Sequence, residues 1–201
     1  MIFKDYLLYW KKLKTEENNS SFLYLKDWHF NRDYPEYKAY STPTYFSSDW
    51  LNEFCEHEND DYQFVYMGPK GTWTPLHADV FGSYSWSANV CGRKKWLLFP
   101  PGAEELLLDE KKKIPYSVNE KELHHLCIPH LSAVQETGEI IFVPSGWYHQ
   151  VHNLEDTISI NHNWFNGCNI LHIWDCLHLA AIDVEKEISD CRIYDDWQEQ
   201  W

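Results

Sequence analysis

Basic residues are scarce: 17 Lys and Arg stand against 31 Asp and Glu, a formal net charge of −14 over 201 residues. A broad grip on nucleic acid needs cations clustered along the phosphates. The only runs of three consecutive basic residues are Arg93-Lys94-Lys95 and Lys111-Lys112-Lys113, so no direct nucleic-acid binding is expected. The acidic surface suits either plain solubility or a basic protein partner. Long apolar runs are also missing. No stretch approaches the ~20 residues of a membrane span, and Met1-Ile2-Phe3-Lys4-Asp5-Tyr6 lacks the apolar core of a signal peptide. No membrane association is expected. The six cysteines (55, 91, 127, 168, 176 and 191) contain no C-x-x-C pair, and their spacings fit neither a zinc cluster nor a disulfide framework. They read as buried thiols in a reducing compartment, the cytoplasm with or without the nucleus. Internal repeats and low-complexity segments are absent.

Aromatic residues are abundant, at 17% with 11 Trp and 13 Tyr, and hydrophobic residues reach 44%. Such a chain is too apolar to be disordered. Its length suits one domain over 1–201 with a full core. Phe3, Tyr6, Leu7, Trp10 and Leu13 fall at helical spacing, predicting an opening helix over 3–14 that Asn18-Asn19-Ser20-Ser21 breaks. Phe22-Leu23-Tyr24-Leu25 reads as a short strand, the region around Pro35 and Pro43 as an irregular excursion, and Asp49 to Phe54 as a helical turn. Strand-like runs follow at Phe64–Met67, Trp73–Asp79, Ser83–Cys91 and Lys95–Phe99. Residues 103–125 are charged and helical or looped, with the lysine run at 111–113 as solvated surface. Ile140 to Pro144 reads as a buried-type strand and Thr157 to Trp164 as another. Short strands at regular spacing predict an all-β sandwich or barrel. After Gly167, Ile170, Trp174, Leu177, Ala181, Val184 and Ile188 form one apolar helical stripe. It fits a helix packed on the barrel and also a homodimer seam through the C-terminal helix.

The sharpest local feature is Thr74-Pro75-Leu76-His77-Ala78-Asp79. On an extended strand residues i and i+2 share a face, so His77 and Asp79 can reach one metal. An imidazole and a carboxylate are two-thirds of the facial triad of non-haem Fe(II) oxygenases. The pair occurs by chance in many chains, so it needs a third ligand from a distant strand. Val143-Pro144-Ser145-Gly146-Trp147-Tyr148-His149 offers His149; the bland alternative is a buried structural histidine. His152, three residues on, would face the other side. Three protein ligands leave room for a 2-oxoacid and O2. The acid's far carboxylate then needs a cation, and Lys94 beside the apolar run 96–99 fits, with Lys95 pointing outward by strand alternation.

Together these residues resemble the jumonji C (JmjC) family of 2-oxoglutarate oxygenases. The resemblance runs from about Phe22 to Phe165. It rests on Gly68-Pro69, His77-Ala78-Asp79, Gly92-Arg93-Lys94-Lys95-Trp96-Leu97-Leu98-Phe99-Pro100-Pro101 and Val143 to His149. Tyr66-Met67-Gly68-Pro69, Gly71-Thr72-Trp73-Thr74-Pro75 and Ser85-Trp86-Ser87-Ala88-Asn89-Val90-Cys91-Gly92 are similar to one branch, the lysyl hydroxylases of a translation termination (release) factor. The resemblance implies a mainly β double-stranded β-helix, a jelly-roll or cupin-like barrel, with its core at about 22–166 and flanking N- and C-terminal helices, the latter at about 168–190. It implies Fe(II), 2-oxoglutarate and O2, with His77, Asp79 and His149 on the metal and Lys94 on the 2-oxoglutarate carboxylate. Thr74 is implied as a second contact, Asn161 and Asn163 as polar groups facing the cosubstrate, and Tyr24 as a tyrosine near its carboxylate. Where related hydroxylases carry Asn after the strand tryptophan, this chain has Ser87, so that contact is expected to be absent or water-mediated. Relatives carry more sequence before the core, so part of the substrate-recognition surface is expected to lie outside this chain. Two rivals remain: a lysine demethylase using the same centre on an N-methyl group, and a non-catalytic scaffold. A cupin-like isomerase or storage protein would want further His or Glu ligands that the strands do not offer.

Overall fold

The two-residue alternation in the middle of the chain becomes nine strands in two facing antiparallel sheets. The computed structural model describes residues 2–13 and 22–193, so the expected break at 18–21 lies outside the described residues. Helix α1 (Phe3–Leu13) buries Tyr6, whose hydroxyl donates to Met67 O at 2.6 Å. The strands are β1 (Leu25–Trp28), β2 (Gln63–Gly68), β3 (Trp73–His77), β4 (Tyr84–Cys91), β5 (Lys94–Phe99), β6 (Leu131–Gln135), β7 (Ile140–Val143), β8 (Tyr148–Asn153) and β9 (Thr157–Trp164). One sheet runs β1-β2-β9-β4-β7 and the other β3-β8-β5-β6, the jelly-roll arrangement that the family resemblance implies.

Helices sit around this sandwich. Short α2 (Phe30–Asp33) lies in the irregular excursion, and α3 (Trp50–His57) follows it, capped by Asp49, which accepts from Asn52 N at 3.0 Å. An Asp at this position satisfies a helix-end donor. The excursion covers the outer face of the first sheet: Phe46 stacks on Trp86 with centroids 5.5 Å apart. On the outer face of the second sheet lies α4 (Glu120–His125), which seats Leu123 among Leu76, Leu97, Phe99 and Ile128. Inside that sheet Trp96, Leu98, Val143 and Val151 make a separate cluster. Phe99 and Val143 are fully buried, each stabilising the fold by about 2 kcal/mol through lost apolar surface. Among the described residues no helix is long and apolar enough to cross a membrane.

Several expectations need correction. The first strand begins at Leu25 and runs to Trp28, so Phe22, Leu23 and Tyr24 precede it. Ile140 to Val143 is buried on one face only: it is an edge strand, and while Val143 is buried, Ile140 and Phe142 keep 43% and 44% of their surface. Strand β6 was not anticipated. The C-terminal helix α5 (Ile170–Glu187) forms, but its predicted stripe does not pack on the barrel. Ile173, which is outside the stripe, is the buried residue, while Trp174, Leu177 and Val184 face solvent. The helix meets the barrel chiefly at the turn Val80–Gly82. The cysteines are all free, yet only Cys55 is buried; Cys127 and Cys168, on turns, and Cys176, on α5, are exposed.

The β4–β5 turn depends on Gly92. Its φ is +75°, and a Cβ there would sit 2.1 Å from Asp156 O. Gly138 has φ +83° with open space around it. Gly138→Ala is expected to lower stability by about 1 kcal/mol, the left-handed backbone cost alone. Gly92→Ala should cost at least ~2 kcal/mol more, because backbone must move as well. Urea midpoints of the two variants measure the difference.

Candidate metal centre

Strand β3 pairs with β8 so that His77 lies opposite His149, with ring centroids 4.2 Å apart. The register shifts between Thr74 and His77, a bulge centred on Pro75, which has no N–H for the ladder. Leu76 N instead donates to Tyr116 O at 3.1 Å. A bulge re-aims side chains: Thr74 and His77 both line the cavity although they are three positions apart, while Leu76 packs in the outer cluster. Asp79 lies just past the strand's end, on extended backbone (φ −68°, ψ 151°) at the head of the turn Val80–Gly82. The i, i+2 relation to His77 therefore survives. The ligand atoms of His77, Asp79 and His149 all lie within 4.8 Å of one another.

Hydrogen bonds aim these atoms. His77 Nδ1 donates to Pro75 O at 2.8 Å, and His149 Nδ1 donates to Trp147 O at 3.2 Å. A carbonyl only accepts, so each ring carries its proton on Nδ1 and leaves the Nε2 lone pair free. Burial, then the neighbouring His149 ring, holds His77 down to about 4, so it is neutral at physiological pH. Ser85 Oγ donates to Asp79 Oδ2 at 2.6 Å. Trp96 stacks on His149, centroids 5.7 Å apart, and fixes the ring's plane.

Lys94, 2% exposed, points into the same cavity from β5. Its Nζ donates to Ser159 Oγ at 2.5 Å, and among the described residues no carboxylate pairs with it. Burial first, then the Lys26 charge, lowers it to about 7. Lys95 faces outward and pairs with Glu120. On β9 the inward positions Thr157, Ser159, Asn161 and Asn163 are all polar. Asn161 Nδ2 also donates to Ser159 Oγ, at 3.2 Å, and Asn163 Nδ2 to Ser83 Oγ at 3.1 Å. Tyr24 closes one side, its phenol pushed up to about 12 by burial, and packs on Gly68, where a Cβ would fall 2.5 Å from its ring. Ser87 Oγ is buried without a hydrogen-bond partner. His152 faces the other way, stacked on Trp73.

All eight residues singled out in the sequence, Tyr24, Thr74, His77, Asp79, Lys94, His149, Asn161 and Asn163, line one cavity of about 50 Å³, several times what one water needs. Ser85 and Tyr66, which also line the cavity, and Ser159, the partner of Lys94, were missed. The polar alternation along β9 carries Ser159 in plain view. The donor set fits a divalent metal of the iron class: two imidazoles and one carboxylate on one side leave open positions. Lys94 fits an anion beside it, since a buried ammonium with only a hydroxyl partner lacks its counter-charge.

The model of the JmjC domain, hydroxylase, matches residues 64–164. The chain is 54% identical over 210 residues to the 2-oxoglutarate and iron-dependent oxygenase JMJD4 of Gallus gallus, covering 98% of this chain and 49% of the relative. It is 52% identical to JMJD4 of Homo sapiens, covering 96% and 49%. It is also 52% identical to the arginine-specific demethylase JMJ20 of Arabidopsis thaliana, covering 89% and 44%. The chain thus spans about half the length of the curated relatives it matches.

Lys94 makes a stability prediction with a definite sign. Its folded pKa lies below the ordinary 10.5, so the cost of burying its charge is full below about pH 7 and fades as pH rises toward 10.5. Lys94→Met is expected to stabilise the ligand-free protein by roughly 2 kcal/mol at about pH 6, with the gain shrinking steadily above pH 7. Urea unfolding across pH reads this directly. A variant less stable than wild type at low pH would mean that the ammonium is already satisfied.

Proposed function

The chain belongs to the JmjC-domain hydroxylase family, and from that premise we propose that it is an Fe(II)- and 2-oxoglutarate-dependent oxygenase acting on a protein side chain. The observation that carries this reading is one cavity holding both the His77–Asp79–His149 donor set and an unpaired buried ammonium. The relatives' names supply the metal and the cosubstrate.

His77, Asp79 and His149 would hold the iron, which with 2-oxoglutarate and O2 would supply the oxidising power to turn a substrate C–H into C–OH, the acid leaving as succinate and CO2. The protein's work is positioning and exclusion of water. His77 and His149 present fixed Nε2 lone pairs, and Ser85 holds the Asp79 carboxylate. The Lys94 ammonium takes the far carboxylate of 2-oxoglutarate, helped by the Thr74 hydroxyl and the Tyr24 phenol. Asn161 and Asn163 offer amide donors from the facing sheet. Trp96 and Val151 keep that end of the cavity dry, which strengthens each charge interaction there. Ser87 leaves an unpaired hydroxyl where related hydroxylases place an Asn, so a bridging water suits that position.

The finer reading is lysyl hydroxylation of a translation termination factor in the cytoplasm. It rests on the likeness of residues 66–75 and 85–92 to that branch of the family. A second reading, N-methyl demethylation, is favoured by the demethylase name of the Arabidopsis relative. Oxidising an N-methyl carbon would release formaldehyde and leave the amine.

Succinate formation by anaerobically Fe(II)-loaded protein tests both. Release-factor-dependent turnover that His77→Ala abolishes, with one oxygen atom added to a lysine, is the expected result. Formaldehyde from a methylated peptide would select the second reading, and the absence of turnover despite bound iron would favour the scaffold. The pH dependence gives an independent check. A carboxylate beside Lys94 raises its pKa from about 7, so above pH 7 binding must take up a proton. The Kd for 2-oxoglutarate should rise with pH above 7, approaching tenfold per unit. It should be weaker, and flat with pH in that range, in Lys94→Met.

A further inference from the structure

The outer face of the second sheet carries a second group of ligand-type side chains that the cavity does not use. Glu120 and His124 lie one turn apart on α4, and His130 stands just ahead of β6. Their ligand atoms all lie within 4.8 Å of one another. The two imidazole centroids are 5.0 Å apart. His130 Nδ1 donates to Ile128 O at 2.8 Å, which leaves its Nε2 as a lone pair. Glu120 is held from behind: Ser132 Oγ donates to Oε1 at 2.7 Å, and Lys95 Nζ donates to Oε2. These two bonds, Lys95 foremost, keep the acid below the usual carboxylate range.

Outer hydrogen bonds that orient an imidazole and hold a carboxylate ionised are what surround metal ligands. A simple surface ion pair would account for Glu120 and Lys95, but not for two imidazoles converging on the same carboxylate. We propose that Glu120, His124 and His130 form a second metal site, taking a borderline divalent ion such as Zn2+ with water in the remaining position. Two imidazoles select zinc-like ions over Mg2+ and Ca2+, which prefer an all-oxygen shell. Three protein ligands leave an open tetrahedral position. Zinc bonds of about 2.0–2.2 Å require the group to contract by an ångström or so. The exposed His124 ring is free to make that movement toward the held Glu120 carboxylate and His130. The ion ties α4 to the segment entering β6, behind the strand whose inner face presents Lys94. This proposal does not depend on the oxygenase reading.

The test is titration of metal-stripped protein with Zn2+ against a chromogenic chelator, for wild type and for His77→Ala, His124→Ala and His130→Ala. His124 is exposed, so its replacement should leave the fold intact, and His130→Ala gives a second, independent removal. Each is expected to lose one zinc equivalent, or to weaken it about tenfold or more. His77→Ala should lose a different equivalent and retain this one. In the His77→Ala background, Zn2+ should still raise the thermal midpoint, and adding His124→Ala should abolish that rise. If both His124→Ala and His130→Ala take up zinc with wild-type number and affinity, the site does not exist. Failure of the first centre would show only in His77→Ala, so the two outcomes are separable.

Discussion

Strand β8 is bonded along both edges, to β3 on one side and β5 on the other, and the geometry of the cavity depends on that double pairing. His149 stands opposite His77 across the first ladder and opposite Leu98 across the second. A slip of one residue on either ladder would turn His149 outward and bring Gln150 in. The outer face opposes such a slip. Gln150 Nε2 donates to Val118 O at 3.0 Å while its Oε1 accepts from Val118 N at 2.9 Å. His152 lies flat on Trp73. These contacts exist in one register only, so the residues behind the sheet hold the metal ligands in front of it.

That dependence explains what the sequence revealed and what it hid. His77 and Asp79 were legible because extended backbone repeats every two residues, whether or not a ladder continues through both. Lys94 was legible because Trp96 and Leu98 alternate with it into the core. Thr74 could not be placed by alternation, since three residues from His77 it should face outward; the bulge at Pro75, a tertiary feature, turns it in. Strand β6 was hidden because Leu131-Ser132-Ala133-Val134-Gln135 mixes small and polar residues on a half-exposed edge. The α5 stripe failed in the opposite way: periodicity reports that a helix has an apolar side, not that a partner faces it. The barrel instead takes Ile173, one position off the stripe. Cysteine burial depended in the same way on which surfaces the fold covers.

The electrostatics of the cavity run against those of the chain as a whole. A protein of net charge −14 could have placed a carboxylate beside Lys94, yet none of the described residues does so. Its partners there are the hydroxyl of Ser159 and, beyond it, the amide of Asn161. Removing an ammonium from water with neutral partners costs several kcal/mol, and the lowering of Lys94 to about 7 is that cost expressed as proton affinity. A ligand that brings its own carboxylate recovers it. Stability given up in the empty fold thus reappears as affinity and as a preference for anions.

The neighbouring lysine shows that this is a matter of position and not of residue type. Lys94 and Lys95 are adjacent on one strand and face opposite sides of one sheet. Lys95 meets Glu120 on a half-exposed surface, where such a pair contributes little net stability. The outer face obtains its counter-charge from α4, an element of the same chain. Among the described residues the inner face offers Lys94 no paired carboxylate, because β9 presents Thr157, Ser159, Asn161 and Asn163 there. Folding alone therefore completes the outer charge and leaves the inner one open. A buried cation with no carboxylate partner among the described residues, beside a convergent donor set, marks that cavity as the place where a bound group completes the structure.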